Sequence, residues 1–297
     1  MGDGSMNPRR QLRTLMHRSE IVVAPGAYDG GTAMLVQAAG FEAVYMTGAG
    51  VSSTYGMPDY GLLTMSEMVG RAGLMAGAVD IPLIADADTG YGNELNVTRT
   101  IAEYEARGVA ALHIEDQVSP KRCGHLAGKE LVSPEEFLAK IRAAVAARRD
   151  PDLVIIARTD ARAVSGMDEA VARVNAALKA GADLAFVEAV RSVEEAAAVP
   201  KLVDGPCLLN MVGAGLTPVL DAQEAQRMGY RLAILPGVIL GTMVARVMET
   251  LAELKATHKH PAVPGGLTPA DVFNLFGAKR WDALRTRFQE DFKAAAE

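Results

Sequence analysis

Cysteine is nearly absent: Cys123 and Cys207 are the two thiols in 297 residues. So few and so far apart, they exclude a disulfide framework and point to a reducing cytoplasm. No apolar run approaches the ~20 residues that a membrane-spanning helix needs. The opening MGDGSMNPRR has no apolar stretch after its basic pair, so no secretory leader is expected, and residues 1–5 read as an addition ahead of Met6. A basic excess is lacking too. The net charge of −6 argues against nucleic acid as the main partner. No G-x-G-x-x-G fingerprint occurs, which disfavours a dinucleotide-binding open sheet. No C-x-x-C accompanies Cys123, which disfavours zinc.

What is present is an ordinary globular composition, 49% hydrophobic and 22% charged, in a length sufficient for one large α/β domain. Eight short apolar runs recur, at 21–26, 43–48, 82–88, 110–116, 154–160, 184–189, 207–212 and 232–237. Between most of them lie Ala-rich stretches of helical periodicity, several closing in glycine (Gly40, Gly108, Gly181, Gly229) as a helix C-cap would. Eight β-α units in about 230 residues suggest a (β/α)8 TIM barrel, with a doubly wound open sheet as the rival. The barrel is expected over 1–257, with a C-terminal helical extension at 258–297. There Trp281, Leu284 and Phe288 form one apolar stripe, which packs on the barrel or on a neighbouring subunit. His258 and His260 read as solvated surface, and Cys207 as a packing residue.

Polar residues close these runs: Thr47, Asp86, Asp88, Glu115, Arg158, Asp160, Glu188 and Asn210. In a barrel those ends share one face, where active sites lie. Asp86 and Asp88 stand at strand spacing, which directs both to one side and offers a seat for a hard cation such as Mg2+. A hydrogen-bonded cluster is the alternative. His113 and Glu115 repeat the spacing, and Asp59 lies in a nearby loop. Arg158 suits a bidentate grip on a carboxylate, or else a salt bridge to Asp160 or Glu188. The turn Thr47-Gly48-Ala49 could offer backbone N–H groups to a carboxylate or oxyanion. Gly213-Ala214-Gly215 reads as a plain loop. No lysine stands at a strand end, which disfavours a Schiff-base mechanism.

Lys121-Arg122-Cys123-Gly124-His125 follows the fourth run and precedes a helix start, SPEEF. The flanking cations are expected to favour the thiolate of Cys123. Gly124 is expected to supply backbone freedom, and Lys121, Arg122 and His125 to meet anionic groups. A proton-donating thiol beside a metal seat suggests cleavage of a bond next to a carbonyl through an enolate.

The segments YMTGAG, DADTGYG, HIEDQ, KRCGH and IARTDA, with the pair Glu188 and Asn210, resemble the isocitrate lyase/phosphoenolpyruvate mutase superfamily from about Ile21 to Leu254. The resemblance implies a barrel whose last helix is exchanged between subunits, usually in a homotetramer. It implies Mg2+, with Mn2+ as a substitute, held by Asp86 and Asp88, and by Asp59 and Glu115 partly through water. It also implies a mobile loop that presents Cys123 as proton donor. Thr47, Gly48, Ala49, Asp86, Gly124, His125, Arg158, Glu188 and Asn210 would bind substrate, with Cys123, Arg158 and Glu115 catalytic. KRCGH looks like the carbon–carbon lyases, since phosphonate mutases typically carry asparagine at the position of Cys123. Methylisocitrate lyases usually carry arginine five residues after the strand-eight proline, where this chain has Gly241. KRCGHLAGK and NMVGAG look more like the 2,3-dimethylmalate lyase and oxaloacetate acetylhydrolase branch. The expected function is an Mg2+-dependent cytoplasmic lyase of a 2-hydroxy dicarboxylate. The alternatives are an oxaloacetate hydrolase or decarboxylase, a phosphonate mutase, or a barrel that only binds a metabolite.

Overall fold

A computed structural model describes residues 7–213 and 215–294. The expected addition at 1–5, and Ala214 of the loop after the seventh run, lie outside the described residues. The chain divides after Thr242 into two compact units.

The first unit is a closed parallel barrel of eight strands in sequence order. They are β1 (Val22–Ala27), β2 (Val44–Met46), β3 (Leu83–Asp86), β4 (Ala111–Glu115), β5 (Val154–Thr159), β6 (Leu184–Val187), β7 (Cys207–Asn210) and β8 (Leu232–Leu235). Each lies within one of the eight runs except β1, which extends one residue past its run to Ala27. Closure is made by β8 against β1, with Val22 opposite Leu232 and Ala24 opposite Ile234. Gly40, Gly108, Gly181 and Gly229 all have positive φ after their helices, as C-cap glycines should. The SPEEF start is also real: Ser133 Oγ accepts from Glu136 N at 3.2 Å and opens the helix Pro134–Ala147.

Alternation along the strands sorts the core. Val22, Ala24, Tyr45, Ile84, Ile156, Leu184, Phe186, Leu208, Leu232 and Ile234 pack together with Leu12 and Leu15 of the N-terminal helix Pro8–His17. This set fills the barrel interior. Residues one step away, among them Met46, Leu83, Leu112 and Ile155, pack in a separate cluster with the surrounding helices. Cys207 belongs to another outer cluster and is buried there, and burial alone pushes its thiol up to about 12. It is a packing residue, as its flanks suggested.

The second unit is helical. It holds the later part of the helix Val238–Thr257, a short 3-10 turn at Pro264–Gly266, and the helices Pro269–Leu275 and Ala278–Ala294. Val244, Val247, Met248, Leu251 and Leu254 lie at helical spacing and are all exposed, as are Trp281 and Phe288.

Candidate active site

The inward register that fills the barrel continues one step further at its mouth. Tyr45 is followed by Thr47, Ile84 by Asp86, His113 by Glu115, Ile156 by Arg158, Phe186 by Glu188 and Leu208 by Asn210. Tyr45, Thr47, Asp86, Arg158, Glu188 and Asn210 line a cavity of about 130 Å³, together with Ala49, Asp59, Cys123, Gly124 and His125. Most of the expected site residues therefore share one wall. Gly48, Asp88 and Glu115 do not line it. The amide of Gly48 donates to Asp86 Oδ2 at 3.3 Å, so it braces the aspartate.

Arg158 is the hub. Its Nη1 lies 3.1 Å from Glu115 Oε2, its Nε 3.0 Å from Asp160 Oδ2 and its Nη2 3.5 Å from Glu188 Oε2. The salt-bridge alternative is thus present, with the loosest of its three contacts at Nη2. Burial opposes its charge, but Asp160, Glu115 and Glu188 raise its pKa well above the ordinary value. Glu188 also accepts from Asn210 Nδ2 at 3.0 Å and lies 3.4 Å from His125 Nε2.

A second cation sits among the aspartates. Lys121 Nζ is 2.5 Å from Asp59 Oδ1 and 3.0 Å from Asp88 Oδ1. The loop lysine therefore meets carboxylates of the chain itself. Burial disfavours its charge, but Asp88, Asp86 and Asp59 outweigh that and raise its pKa well above the ordinary value. Asp88 reaches this position by a route that strand spacing did not anticipate. β3 ends at Asp86, and Asp88 lies beyond it with φ 45°, so the two carboxylates do not belong to one strand face. Its amide turns back to donate to Asp86 Oδ1 at 2.9 Å.

The acid cluster has more negative charge than its cations match. Burial pushes Asp88 up to about 6, and pushes Glu115 well above its ordinary value. Burial also works against Asp86, yet His113, Lys121, Arg158 and the Asp88 amide hold it at about 2. His113 itself is pushed down to about 4 by burial and is neutral at pH 7, so Lys121 and Arg158 are the cations Asp86 meets there. Its Nε2 is hydrogen-bonded to the Tyr45 hydroxyl at 2.9 Å. Asp88 Oδ1 and both Glu115 carboxyl oxygens are buried without a well-formed hydrogen bond, although Lys121 and Arg158 lie within ion-pair reach. Among the described residues no three His, Cys, Asp or Glu side chains converge as a ready metal cage. Under-satisfied hard oxygens beside Asp86 and Asp59, which do line the cavity, nevertheless fit a small divalent cation that keeps several waters. Asp86, Asp88, Asp59 and Glu115 are the residues that would hold it.

The Cys123 loop lies directly over Arg158 and Glu188. The expectation for its thiol was reversed in sign. Burial raises the Cys123 pKa above that of an ordinary thiol and outweighs the His125 amide, Arg158 and Lys121, which lower it. A shift in that direction favours the protonated thiol over the thiolate. Gly124 is also required for a different reason than expected. A Cβ there would lie 2.5 Å from Glu188 Cγ and 2.6 Å from Arg158 Nη2, whereas its φ is not in the left-handed region. Gln117 clamps the loop through both backbone groups of Arg122, at 3.0 and 2.9 Å, while the Arg122 side chain is exposed. His125 Nδ1 accepts from Leu216 N at 3.0 Å.

Tyr45, Val212, Pro236, Gly237 and Leu240 also line the cavity and were not anticipated. Tyr45 was recoverable, since it stands two residues before Thr47 on an alternating strand. The others carry no chemical signal that separates a cavity wall from ordinary packing.

Comparison with known proteins bears on this geometry. The profile of the phosphoenolpyruvate phosphomutase family matches residues 12–255. A 2,3-dimethylmalate lyase from Eubacterium barkeri is 47% identical over 277 residues, covering 93% of this chain and 96% of that protein. A 2-methylisocitrate lyase from Aeropyrum pernix is 46% identical over 229 residues, covering 77% and 74%. Among solved structures, oxaloacetate acetylhydrolase in complex with 3,3-difluorooxalacetate superposes with a TM-score of 0.90 at 39% identity, covering 97% of each chain. Phosphonopyruvate hydrolase in complex with oxalate and Mg2+ superposes with a TM-score of 0.86 at 32% identity, covering 96% of this chain and all of the other.

Proposed function

We propose, on the premise that this chain belongs to the phosphoenolpyruvate mutase/isocitrate lyase superfamily, that it is a carbon–carbon bond lyase of 2-hydroxy dicarboxylates related to malate. The observation that carries this reading is the placement of the Cys123 thiol, whose pKa burial raises, at a cavity walled by Arg158, Asp86, Glu188 and Asn210. In the reaction, the C2 hydroxyl proton passes to a carboxylate or water of the acid cluster. The C2–C3 bond then breaks, leaving a 2-oxo acid such as pyruvate and a carbanion beside the second carboxylate. Cys123 gives its proton to that carbon, and a carboxylic acid departs. Arg158, through Nη2, and His125 would grip the substrate carboxylates. Thr47 and Ala49, which line the cavity, would hold the 2-oxo-acid half.

Mg2+, or Mn2+ in its place, is the cofactor we infer, held by Asp86 and Asp88 with Asp59 and Glu115 through water. When bound it would polarise the oxygens of the 2-oxo-acid half. Lys121 shares these aspartates, so the ammonium and the metal have the same neighbours.

Gly241, in place of a cation, favours a dicarboxylate over a tricarboxylate. The structural likeness to oxaloacetate acetylhydrolase supports a second reading, hydrolysis of oxaloacetate on the same scaffold. The deciding experiment is a panel of 2,3-dimethylmalate, 2-methylisocitrate, isocitrate, oxaloacetate and phosphonopyruvate with Mg2+ and product identification. Pyruvate from a substituted malate supports the lyase, and oxalate with acetate from oxaloacetate supports the hydrolase. No turnover of any of them would leave a metabolite-binding barrel.

A homotetramer with an exchanged last helix is part of the same proposal. The exposed apolar residues from Val244 to Leu254, and the exposed Trp281 and Phe288, are surfaces that a neighbouring subunit would cover. No helix among the described residues is long and apolar enough to cross a membrane. Two unpaired cysteines suit the cytoplasm we infer.

A further inference from the structure

The loop that carries Cys123 rises from a short paired stem. Gln117 and Leu131 form an antiparallel bridge, and Val118 N donates to Glu130 O at 2.8 Å. Lys129 stands at the top of the descending side with its side chain only 2% exposed. Its ammonium is 3.2 Å from Asp160 Oδ1, and it donates to the carbonyl oxygen of Gly124. Asp160 is fixed from below. Its other carboxylate oxygen takes Arg158 Nε, and its amide donates to Asp116 Oδ1 at 2.8 Å. Asp116 in turn is held by Thr159 Oγ1 at 2.5 Å and by Arg173 at 3.2 Å. A line of polar contacts thus runs from the end of β5 through Lys129 to the residue next to Cys123.

We propose that Lys129 is a positioning residue, the post on which the loop tip docks through the Gly124 carbonyl so that the Cys123 thiol is held at the cavity. The stem is paired and Lys129 is anchored by Asp160, so Lys129 stays in place when the tip lifts. The Gly124 carbonyl is the group the tip offers to this post, beside the contacts of His125 to Leu216 N and Glu188. The Lys129 ammonium has three N–H donors, and beside the one that meets Asp160 it directs another to the loop carbonyl. The proposal deepens the lyase reading, in which the docked tip is what brings the acid to the carbanion.

Alkylation of Cys123 by iodoacetamide tests this without any substrate. The rate is read by peptide mass spectrometry, with buried Cys207 as the internal reference for global opening. A charge-assisted hydrogen bond lost from the docked state shifts the docking equilibrium by roughly tenfold or more. Lys129→Met should therefore speed Cys123 alkylation by about that factor while Cys207 stays unreacted, and Lys129→Arg, which keeps a cationic donor, should stay within a few-fold of wild type. Removing a nearby cation would by itself reduce the thiolate fraction and slow the reaction, so acceleration is diagnostic of an undocked tip. An unchanged or slower Cys123 rate in Lys129→Met, with Cys207 protected, overturns the proposal. If Lys129→Met also opens Cys207, the same comparison is made with Lys129→Gln, and an unchanged Cys123 rate there overturns it equally. Failure of the wild type to turn over any substrate would remove the lyase reading but leave this comparison standing.

Discussion

The backbone of Gly124 passes so close to Glu188 that a Cβ on the glycine would fall 2.5 Å from the glutamate Cγ. The contact is between loop and barrel, not within the loop. Gly124→Ala should therefore hold the tip off the cavity while the barrel stays intact. Activity should fall by about 10²-fold or more, as misplacing a catalytic group commonly does, and the melting temperature should barely change. Near-normal kcat with a normal KM would show that the loop reaches its working position without this close approach.

The thiol of Cys123 should act as an acid that titrates late. Its protonated form is the active one, so activity is lost as pH rises through its pKa. Burial raises that pKa, so this limb of kcat/KM should bend down at higher pH than an ordinary thiol would set. Cys123→Ser should remove most of the ~10²–10⁴-fold that a general acid contributes, and should remove the alkaline limb with it. Substrate binding should persist, measurable by calorimetry with a non-cleavable analogue. Retention of near-normal kcat by the serine variant would transfer the role of acid elsewhere and favour the hydrolase.

Metal dependence should follow from the under-satisfied acid cluster. EDTA should abolish turnover, and Mg2+ or Mn2+ should restore it. Asp86→Ala should lose activity by orders of magnitude with an unchanged far-ultraviolet circular dichroism spectrum. Full activity in metal-stripped protein would leave Lys121 and Arg158 as the cations of the site.

Substrate choice should reflect the missing cation at Gly241. A substituted malate or oxaloacetate should surpass 2-methylisocitrate in kcat/KM by about tenfold or more, since an unmet carboxylate costs at least one charged hydrogen bond. Gly241→Arg should narrow that gap. A wild type that prefers 2-methylisocitrate would refute the reasoning from this position.

Which residues face the mouth of the barrel was legible in the sequence, because strand alternation is local. Reading back two residues from Thr47 or Arg158 reaches the packed interior, and reading forward reaches the cavity. Eight apolar runs, six of them closed by polar residues, therefore specified both the barrel and the rim from which most of the site is built. The same local rule failed at Asp88, where the chain leaves β3 and turns through a left-handed φ.

Contacts across the closed barrel were decided by the tertiary structure alone. Lys121 meets Asp59 and Lys129 meets Asp160 because loops far apart in sequence fold over one mouth, and no periodicity records that distance. The sign of the Cys123 shift had the same origin. Sequence showed the cations beside the thiol, but how much water the docked loop excludes depends on Arg158 and Glu188 beneath it. Desolvation is a property of the surrounding volume, and that volume exists only once the strands have closed and the loop lies across them.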